Sequence, residues 1–207
     1  MSFVDQFRER PLSSGQPTTL MIVTERLILR ARNPDDATAL FGPMSDSEIM
    51  KWWSRRPFAS VEEVRANFDE ARKSRDWRNW AITWKGGENG AIGFVAAGEK
   101  REGVAEIGYL LSREAQGQGI AYEAISGLID RLFEEGHRRL FADTDPDNSR
   151  SIALLGRLGF TLEGRLRNEW HTHIGVRDSL IFGLLPGEWK PVRRYLGPNN
   201  FAPCPAS

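Results

Sequence analysis

The segment between residues 105 and 136 constrains the fold of this 207-residue chain more than any other part of the sequence. A short apolar run, Ala105–Leu111, leads into the glycine-containing loop Gln116-Gly-Gln-Gly-Ile-Ala121. Apolar residues then recur every three or four positions until Gly136, as in an amphipathic helix: Ile120, Ala124, Ile125, Leu128, Ile129, Leu132 and Phe133. The spacing predicts a strand, a glycine loop and a helix in direct succession.

A glycine loop in this position can bind a phosphorylated ligand. The backbone N–H groups of a first helical turn are unpaired and lie at the positive end of the helix dipole. Gly117 and Gly119 lack a Cβ atom, so a pyrophosphate can approach the backbone closely. The same pattern also fits a tight connection between packed elements. It does not fit a dinucleotide fingerprint, because position 122 is Tyr, or a P-loop, because no Gly-Lys-Ser or Gly-Lys-Thr occurs.

The rest of the chain predicts hairpins with helices between them. Asn33-Pro34 and Ser60 are typical of helix starts, whereas Gly136 and Gly159 are typical of helix ends. The predicted strands are 26–30, 80–84, 91–95, 105–111, 139–144, 160–167 and 177–184. Because helices separate hairpins and do not alternate strictly with single strands, we expect an α/β chain of the α+β type. Its sheet should be mixed, mainly antiparallel and twisted, with helices flanking it.

Composition narrows the domain organisation and the classes of partner. We expect an N-terminal extension (1–22), one compact domain (23–185) and a proline-rich C-terminal extension (186–207). Lys and Arg (28) balance Asp and Glu (28), so no nucleic acid or anionic membrane is expected as a partner. No stretch has the apolar length of a membrane span or a signal peptide. The single cysteine, Cys204, excludes an internal disulfide and favours a reducing cytoplasm.

Several separated motifs show a family resemblance that covers about residues 24–185. Gln116-x-x-Gly119-x-Ala121 after a strand is similar to the acetyl-CoA motif of the GNAT superfamily. The pattern resembles the Rim-type branch, named for ribosomal-protein N-terminal acetyltransferases, in Thr24–Arg30, Ala105–Tyr109, Asn148-x-x-Ser151, Arg157–Phe160 and Asp178. The resemblance implies a GNAT-like acyl-CoA N-acyltransferase fold and transfer of an acetyl group from acetyl-CoA to a primary amine, by direct attack in a ternary complex.

The resemblance also implies roles for individual residues. Tyr109, Leu110 and Leu111 would bind the pantetheine arm like an added strand, and the N–H of Leu110 or Leu111 would contact the thioester carbonyl. The pyrophosphate would lie on the loop formed by Gln116, Gly117, Gln118, Gly119, Ile120 and Ala121. Asn148 would contact pantetheine, and it could equally cap a helix. Glu106, on the strand that leads into the site, is the candidate base, acting directly or through water, and it could also be an ordinary exposed strand glutamate. Leu155 stands where the family often has a tyrosine acid, so Ser151 is expected to contact the sulfur.

The acceptor side is less constrained by the sequence. Trp52 and Trp53 could line an acceptor groove, although burial of at least one of them in the core is as plausible. His171 could border the pocket, but it and His173 have too few companion ligands to predict a metal site. The branch favours a protein or peptide α-amine as acceptor. A small amine such as an antibiotic or a polyamine, and a CoA-binding module without activity, are the alternatives. A homodimer through an exposed β edge is also possible.

Overall fold

A computed structural model describes residues 19–74, 76–87 and 90–190. The chain forms an eight-stranded sheet with the order β1-β2-β3-β4-β5-β6-β8-β7. The strands are β1 (Ile22–Val23), β2 (Leu27–Ala31), β3 (Trp77–Trp84), β4 (Gly93–Arg101), β5 (Val104–Leu111), β6 (Arg139–Thr144), β7 (Thr161–Thr172) and β8 (Gly175–Leu184). Among the strands of the described residues, only β5 and β6 pair in parallel. The predicted mixed, mainly antiparallel sheet is therefore confirmed.

Five α-helices in the described residues flank the sheet: α1 (Ala37–Ser45), α2 (Ser47–Met50), α3 (Val61–Lys73), α4 (Ile120–Glu134) and α5 (Ser149–Arg157). Several of the predicted boundary signals act locally as expected. Asn33 caps the 3-10 turn Pro34–Asp36 that precedes α1. Ser60 Oγ accepts a hydrogen bond of 3.2 Å from Glu63 N at the start of α3. Gly136 and Gly159 have positive φ angles just after α4 and α5.

The sheet separates two apolar cores. On one side, here called the α4 side, the buried residues of α4 and α5 pack against Leu27, Trp80, Ile107 and Leu140. On the other, here called the α1–α3 side, Leu40, Met50 and Phe68 pack against Phe94 and Leu110. Burying each large apolar side chain stabilises the fold by about 1.5–3 kcal/mol. Because side chains alternate along a strand, Ile107 and Leu110 of β5 belong to different cores.

The sheet opens between β5 and β6. These two strands pair only at Val104↔Arg139, Ala105↔Leu140 and Glu106↔Phe141. Beyond these positions β5 continues beside β4 as far as Gly93↔Leu111, while β6 continues beside β8 as far as Thr144↔Leu180. The result is a separation with residues 107–111 on one edge and residues 142–144 on the other, here called the β5–β6 gap.

The proposed domain boundaries remain predictions, and residues 1–18 and 191–207 of the two extensions lie outside the described residues. Close to each boundary the chain contacts the core. Trp80 Nε1 donates to Leu20 O at 2.8 Å, and Trp189 Nε1 donates to Asp130 Oδ1 on α4 at 2.6 Å. In the described ranges, no helix combines the length and the apolar character that crossing a bilayer requires.

Candidate active site

The backbone of β5 presents hydrogen-bonding groups to the β5–β6 gap. Ser112 N donates to Ile92 O at 2.9 Å, which continues the β4–β5 ladder beyond Leu111. Since the two directions alternate along an antiparallel strand, Leu110 directs its N–H and C=O toward β4, whereas Tyr109 and Leu111 direct theirs into the gap. An extended ligand with amide groups can therefore bind along this edge, and Leu111 is the residue of the Leu110/Leu111 pair whose N–H faces it.

The glycine loop lies between the end of β5 and the start of α4. Gly117 and Gly119 both have φ of 76°, a left-handed conformation that favours glycine. At Gly117 no heavy atom lies within 4 Å of the place where a Cβ would be, and at Gly119 only Arg26 does, at 3.6 Å. The loop residues Gln118, Ile120 and Ala121 complete the turn, and no side chain caps α4. The N–H groups of this first helical turn are therefore available to an anion.

A buried carboxylate, that of Glu123, links the glycine loop to the N-terminal motif. Glu123, in the first turn of α4, is 1% exposed and accepts hydrogen bonds from Thr24 Oγ1 (2.6 Å), Arg26 N (2.8 Å) and Arg26 Nε (2.6 Å). Arg26 Nη1 also donates to Gln118 O at 3.1 Å. The N-terminal motif is thus physically linked to the glycine loop. The sequence contained both halves of this contact but gave no sign that they meet.

Gln116 connects the loop to α5. Its Nε2 donates to Leu111 O at 3.2 Å, and its Oε1 accepts from Arg150 Nη1 at 3.0 Å. The first contact also shows that the carbonyl of Leu111 points away from β4. Gln116 therefore holds the end of β5 and the start of α5 at a fixed separation beside the gap.

Tyr109 and Ser151 meet on the α4 side of the gap. Their hydroxyl oxygens share a hydrogen bond of 2.7 Å. Burial raises the pKa of Tyr109 to about 12, and the hydrogen bond with Ser151 opposes this only in part. Asn148 caps α5, since its Oδ1 accepts from Ser151 N at 3.2 Å, and Leu155 is fully buried in the core. A contact between the side chain of Tyr109 and α5 was not anticipated from the sequence.

The α1–α3 side of the sheet carries Glu106, the candidate base, and two of the predicted acceptor residues, Trp52 and Trp53. Glu106 lies at the last paired position of β5 and forms an ion pair with Lys100 Nζ at 2.9 Å. Trp53 packs against the core, with its ring 5.6 Å from that of Phe94. The ring of Trp52 stacks instead under Lys51 Nζ, 4.7 Å away. The two tryptophans therefore have different surroundings, as the alternative of partial burial had allowed.

An ion pair attaches the helices of this side to the 3-10 turn Arg113–Ala115, which lies between β5 and the glycine loop. Asp46, between α1 and α2, accepts hydrogen bonds from Nε and Nη2 of Arg113, the latter at 2.8 Å. The Arg113 contact holds the pKa of Asp46 below its usual range. This contact fixes α2 and the following tryptophans near the C-terminal end of β5.

His171 is exposed near the end of β7, and His173 lies in the turn that follows. The neighbouring Trp170 points to the opposite face of the strand, where its Nε1 donates to Asp143 Oδ2 on β6 at 2.7 Å. Asp143 was not singled out from the sequence, because it lies within an ordinary strand pattern. Among the described residues, no group of three or more His, Cys, Asp or Glu side chains is arranged to hold a metal ion.

Comparison with known proteins agrees with this geometry. Residues 26–161 match the family model described as the acetyltransferase (GNAT) domain. The chain belongs to the GNAT acetyltransferase family. It is 33% identical over 174 residues to the uncharacterized N-acetyltransferase p20 of Bacillus licheniformis, covering 81% of this chain and 97% of the relative. A probable GNAT acetyltransferase from Chromobacterium violaceum superposes with a TM-score of 0.77 and 26% identity, covering 88% of this chain and 96% of the other.

The GNAT relatives include enzymes with different named acceptors. The spermidine N(1)-acetyltransferase of Escherichia coli is 23% identical and covers 66% of this chain and 73% of its own length. The ribosomal protein uS5 alanine N-acetyltransferase of the same species is 33% identical over 88 residues, covering 42% of this chain and 45% of its own length. The protein is thus an acyl-CoA-dependent N-acetyltransferase of the GNAT family.

Proposed function

We propose that this enzyme transfers the acetyl group of acetyl-CoA to the α-amine of a protein or peptide, by direct attack in a ternary complex. The observation that carries the proposal is the β5–β6 gap with the glycine loop at one end. The gap offers the backbone of Tyr109 and Leu111 to an extended amide-containing arm, and the loop offers unpaired N–H groups to phosphates.

The residues along the gap have chemical groups that suit acetyl-CoA, and they are arranged in the same order as the parts of that ligand. Gly117 and Gly119 leave the space that a pyrophosphate needs, and residues 116–121 would hold it. The pantetheine amides would pair with the free edge of β5. Asn148 would contact the same arm through its side-chain nitrogen, because its Oδ1 already caps α5. Bound acetyl-CoA supplies the activated acetyl group, and the N–H of Leu111 would donate to its carbonyl oxygen.

One side of the gap can donate a proton or hydrogen bond to the leaving group, and the other side can accept a proton from the acceptor amine. On the α4 side, the Tyr109–Ser151 pair can donate a hydrogen bond to the departing thiolate. A thiol with a reference pKa near 8.5 needs only modest assistance to leave. On the α1–α3 side, a carboxylate must receive the proton of the acceptor ammonium. Glu106 is the candidate from the sequence, and the structure adds Asp143 as a second.

A polyamine is the second candidate acceptor. It is favoured by the longer match to the spermidine enzyme, which covers 66% of this chain against 42% for the ribosomal-protein enzyme. An α-amine, with a reference pKa of about 7.7–8, loses its proton more easily than an alkylammonium near 10.4. The α-amine therefore makes the smaller demand on the catalytic base.

The test is a labelling experiment with matched acceptors. Purified protein is incubated with isotope-labelled acetyl-CoA and hexapeptides that begin with Ala, Ser or Met, the same peptides with a blocked N-terminus, spermidine and kanamycin. Mass spectrometry then locates the label. Label on free α-amines and none on blocked peptides supports the first proposal, whereas label on spermidine alone favours the second. Binding of acetyl-CoA without any labelled amine contradicts both proposals.

A further inference from the structure

Asp143 lies on the acceptor edge of the β5–β6 gap. In β6, Leu140 and Ala142 point into the core on the α4 side, so Phe141 and Asp143 point to the α1–α3 side. The parallel register aligns Phe141 with Glu106, which places Asp143 two residues farther, level with Gly108 where the strands have separated. No heavy atom lies within 4 Å of the place where a Cβ of Gly108 would be. Open space therefore faces Asp143 across the gap.

Only neutral groups hold the Asp143 carboxylate. Trp170 Nε1 donates to Oδ2 at 2.7 Å, and the fully buried Ser179 donates through Oγ to Oδ1. No cationic side chain in the described ranges lies within 4.0 Å of Asp143. Most other carboxylates of β6–β8 and the loop after β6 do have such partners: Asp145 and Asp147 bind Arg177, Glu163 binds Arg139, and Asp178 binds Arg165. Glu169 of β7 has no ion pair among the described residues either, but it is exposed, whereas Asp143 is half-buried.

A half-buried carboxylate with two neutral donors and no counter-ion suits a cationic ligand. The two hydrogen bonds fix the orientation of the side chain without neutralising its charge. Arg177, the cation of the neighbouring strand, is engaged by Asp145 and Asp147. Glu106, by contrast, is neutralised by Lys100 and lies where β5 and β6 still pair. Of these two carboxylates, Asp143 alone borders the gap and lacks a cation.

We propose that Asp143 binds the ammonium group of the acceptor and accepts its proton. The proposal rests on the proposed acetyl transfer and assigns the acceptor-binding group of the same site. One N–H bond of the ammonium breaks, and its proton moves to a carboxylate oxygen of Asp143. The freed lone pair forms the N–C bond to the thioester carbonyl carbon, the C–S bond breaks, and the sulfur leaves as a thiolate. The second ammonium proton and the Asp143 proton pass to solvent and the thiolate.

Trp170 and Ser179 act as positioning residues for Asp143. They contact the carboxylate and not the substrate, so their effect on turnover passes through its orientation. Trp170 is 43% exposed, which leaves its ring open to the acceptor as well. Trp170→Phe keeps the aromatic surface and removes only the N–H donor. It is expected to lower kcat/KM about threefold to tenfold, in line with one neutral hydrogen bond.

The decisive experiment compares Asp143→Asn, Glu106→Gln and the control Glu163→Gln, which removes an exposed carboxylate from β7. For each variant, kcat/KM is measured between pH 6 and pH 9 with the acceptor labelled most strongly. Asp143→Asn is expected to lose at least about 100-fold at pH 6. The loss should shrink about tenfold per pH unit up to the pKa of the acceptor, about 7.7–8 for an α-amine, because free amine then needs no base. The charged side chains at the neighbouring strand positions are Arg177, which pairs with Asp145 and Asp147, and the Lys100–Glu106 pair. Every variant except Glu106→Gln retains them.

Acetyl-CoA affinity, measured by calorimetry, distinguishes a misfolded variant from a wrong assignment of Asp143 and from a wrong proposed function. An unchanged affinity of Asp143→Asn shows that the variant folds with an intact loop. If the wild type transfers label and Asp143→Asn keeps more than half of its kcat/KM at every pH, the assignment of Asp143 is wrong while the enzyme function stands. A loss that is constant with pH, or one found equally in Glu163→Gln, also overturns it. If the wild type binds acetyl-CoA but acetylates no amine, the proposed function itself fails.

Discussion

The two sides of the β5–β6 gap are built in different ways. On the α4 side, the glycine loop is fixed by backbone conformation, by the buried Glu123 and by the Gln116 contacts at both ends. On the α1–α3 side, the half-buried Asp143 of β6 lies beside the exposed Trp170 of β7, and open space lies opposite Asp143 at Gly108. The contacts around the loop give the first side a fixed geometry, which suits a ligand that does not vary. The second can change its side chains without disturbing the loop, which suits a family with varied acceptors.

This difference predicts that substitutions on the two sides separate cleanly into cofactor effects and acceptor effects. The largest effect is expected from Gly119→Val. Valine at a φ of 76° is strained by about 1–2 kcal/mol. Its side chain would also occupy the space beside Arg26 that a phosphate needs. Acetyl-CoA affinity, measured by calorimetry, should fall at least about 100-fold, or about 2.7 kcal/mol.

Gly156→Ala provides the matched control for this prediction. Gly156 lies within α5, has no positive φ, and has open space where a Cβ would be. Alanine there should leave acetyl-CoA binding unchanged and favour the helix by about 0.5–1 kcal/mol. A folded Gly119→Val protein, as judged by circular dichroism, that still binds acetyl-CoA tightly would show that phosphates do not lie on this loop.

The next largest effect is expected from Glu123→Gln. The amide removes the charge that pairs with Arg26 and replaces an acceptor oxygen by a donor beside Thr24. Because Arg26 is 42% exposed, the loss is smaller than for a fully buried pair, about 1–3 kcal/mol of unfolding free energy. Urea denaturation measures it. Glu48→Gln, at an exposed i,i+3 pair with Lys51, should cost less than about 0.5 kcal/mol, and equal losses would refute the support role of Glu123.

The difference between the two sides of the gap also explains which parts of the fold and site could be predicted from the sequence. The strand, glycine loop and helix were predictable because their signals are local: apolar spacing and glycines at fixed positions. No local pattern marks the opening between β5 and β6, and the expectation that an extended arm binds residues 109–111 came only from the family resemblance. The physical cause of the opening is that β5 remains paired with β4, the preceding strand, while β6 remains paired with β8, from which α5 and β7 separate it in the chain.

The acceptor side was predicted less completely because its contacts are long-range. Trp170 reaches Asp143 across 27 residues, and Ser179 reaches it across 36. A local pattern marks none of these pairs. For Asp143, alternation along β6 indicates which residues share a face, but not that this face borders a gap. The Trp52–Trp53 pair shows the same limit, since adjacent identical residues have different surroundings.

A smaller effect is expected from Tyr109→Phe, which keeps the ring and removes the hydroxyl. The value of kcat should fall about tenfold, or about 1.4 kcal/mol, with acetyl-CoA affinity changed less than twofold, since only the hydrogen bond toward the thiolate is lost. Tyr122→Phe, on α4, is the matched hydroxyl deletion, and kcat there should change less than twofold. An equal fall in both variants would remove the role assigned to the Tyr109–Ser151 pair.

The protonation state of Tyr109 can be tested separately. Because burial raises its pKa to about 12, the phenol keeps its proton throughout the neutral range and acts as a hydrogen-bond donor. The stability that the neutral form contributes is present below about pH 10, the ordinary tyrosine pKa, and is lost as the pH rises through about 12. The difference in absorbance at 295 nm between the wild type and Tyr109→Phe should therefore titrate near 12. A midpoint near 10 would contradict burial of the hydroxyl.

The smallest effect is expected from Trp52→Ala. This variant tests whether a residue of the acceptor side affects the acceptor and leaves acetyl-CoA binding unchanged. Trp53 packs against Phe94, so Trp53→Ala should lower the unfolding free energy by about 1–3 kcal/mol. Trp52 lies outside that core, so its removal should cost less than about 1 kcal/mol of stability. It should instead raise the acceptor KM about threefold, the equivalent of about 0.7 kcal/mol, with the KM for acetyl-CoA unchanged. If Trp52→Ala instead alters the KM for acetyl-CoA as much as the KM for the acceptor, Trp52 does not belong to the acceptor side alone. The separation into a constant cofactor side and a variable acceptor side would then hold only for the glycine loop.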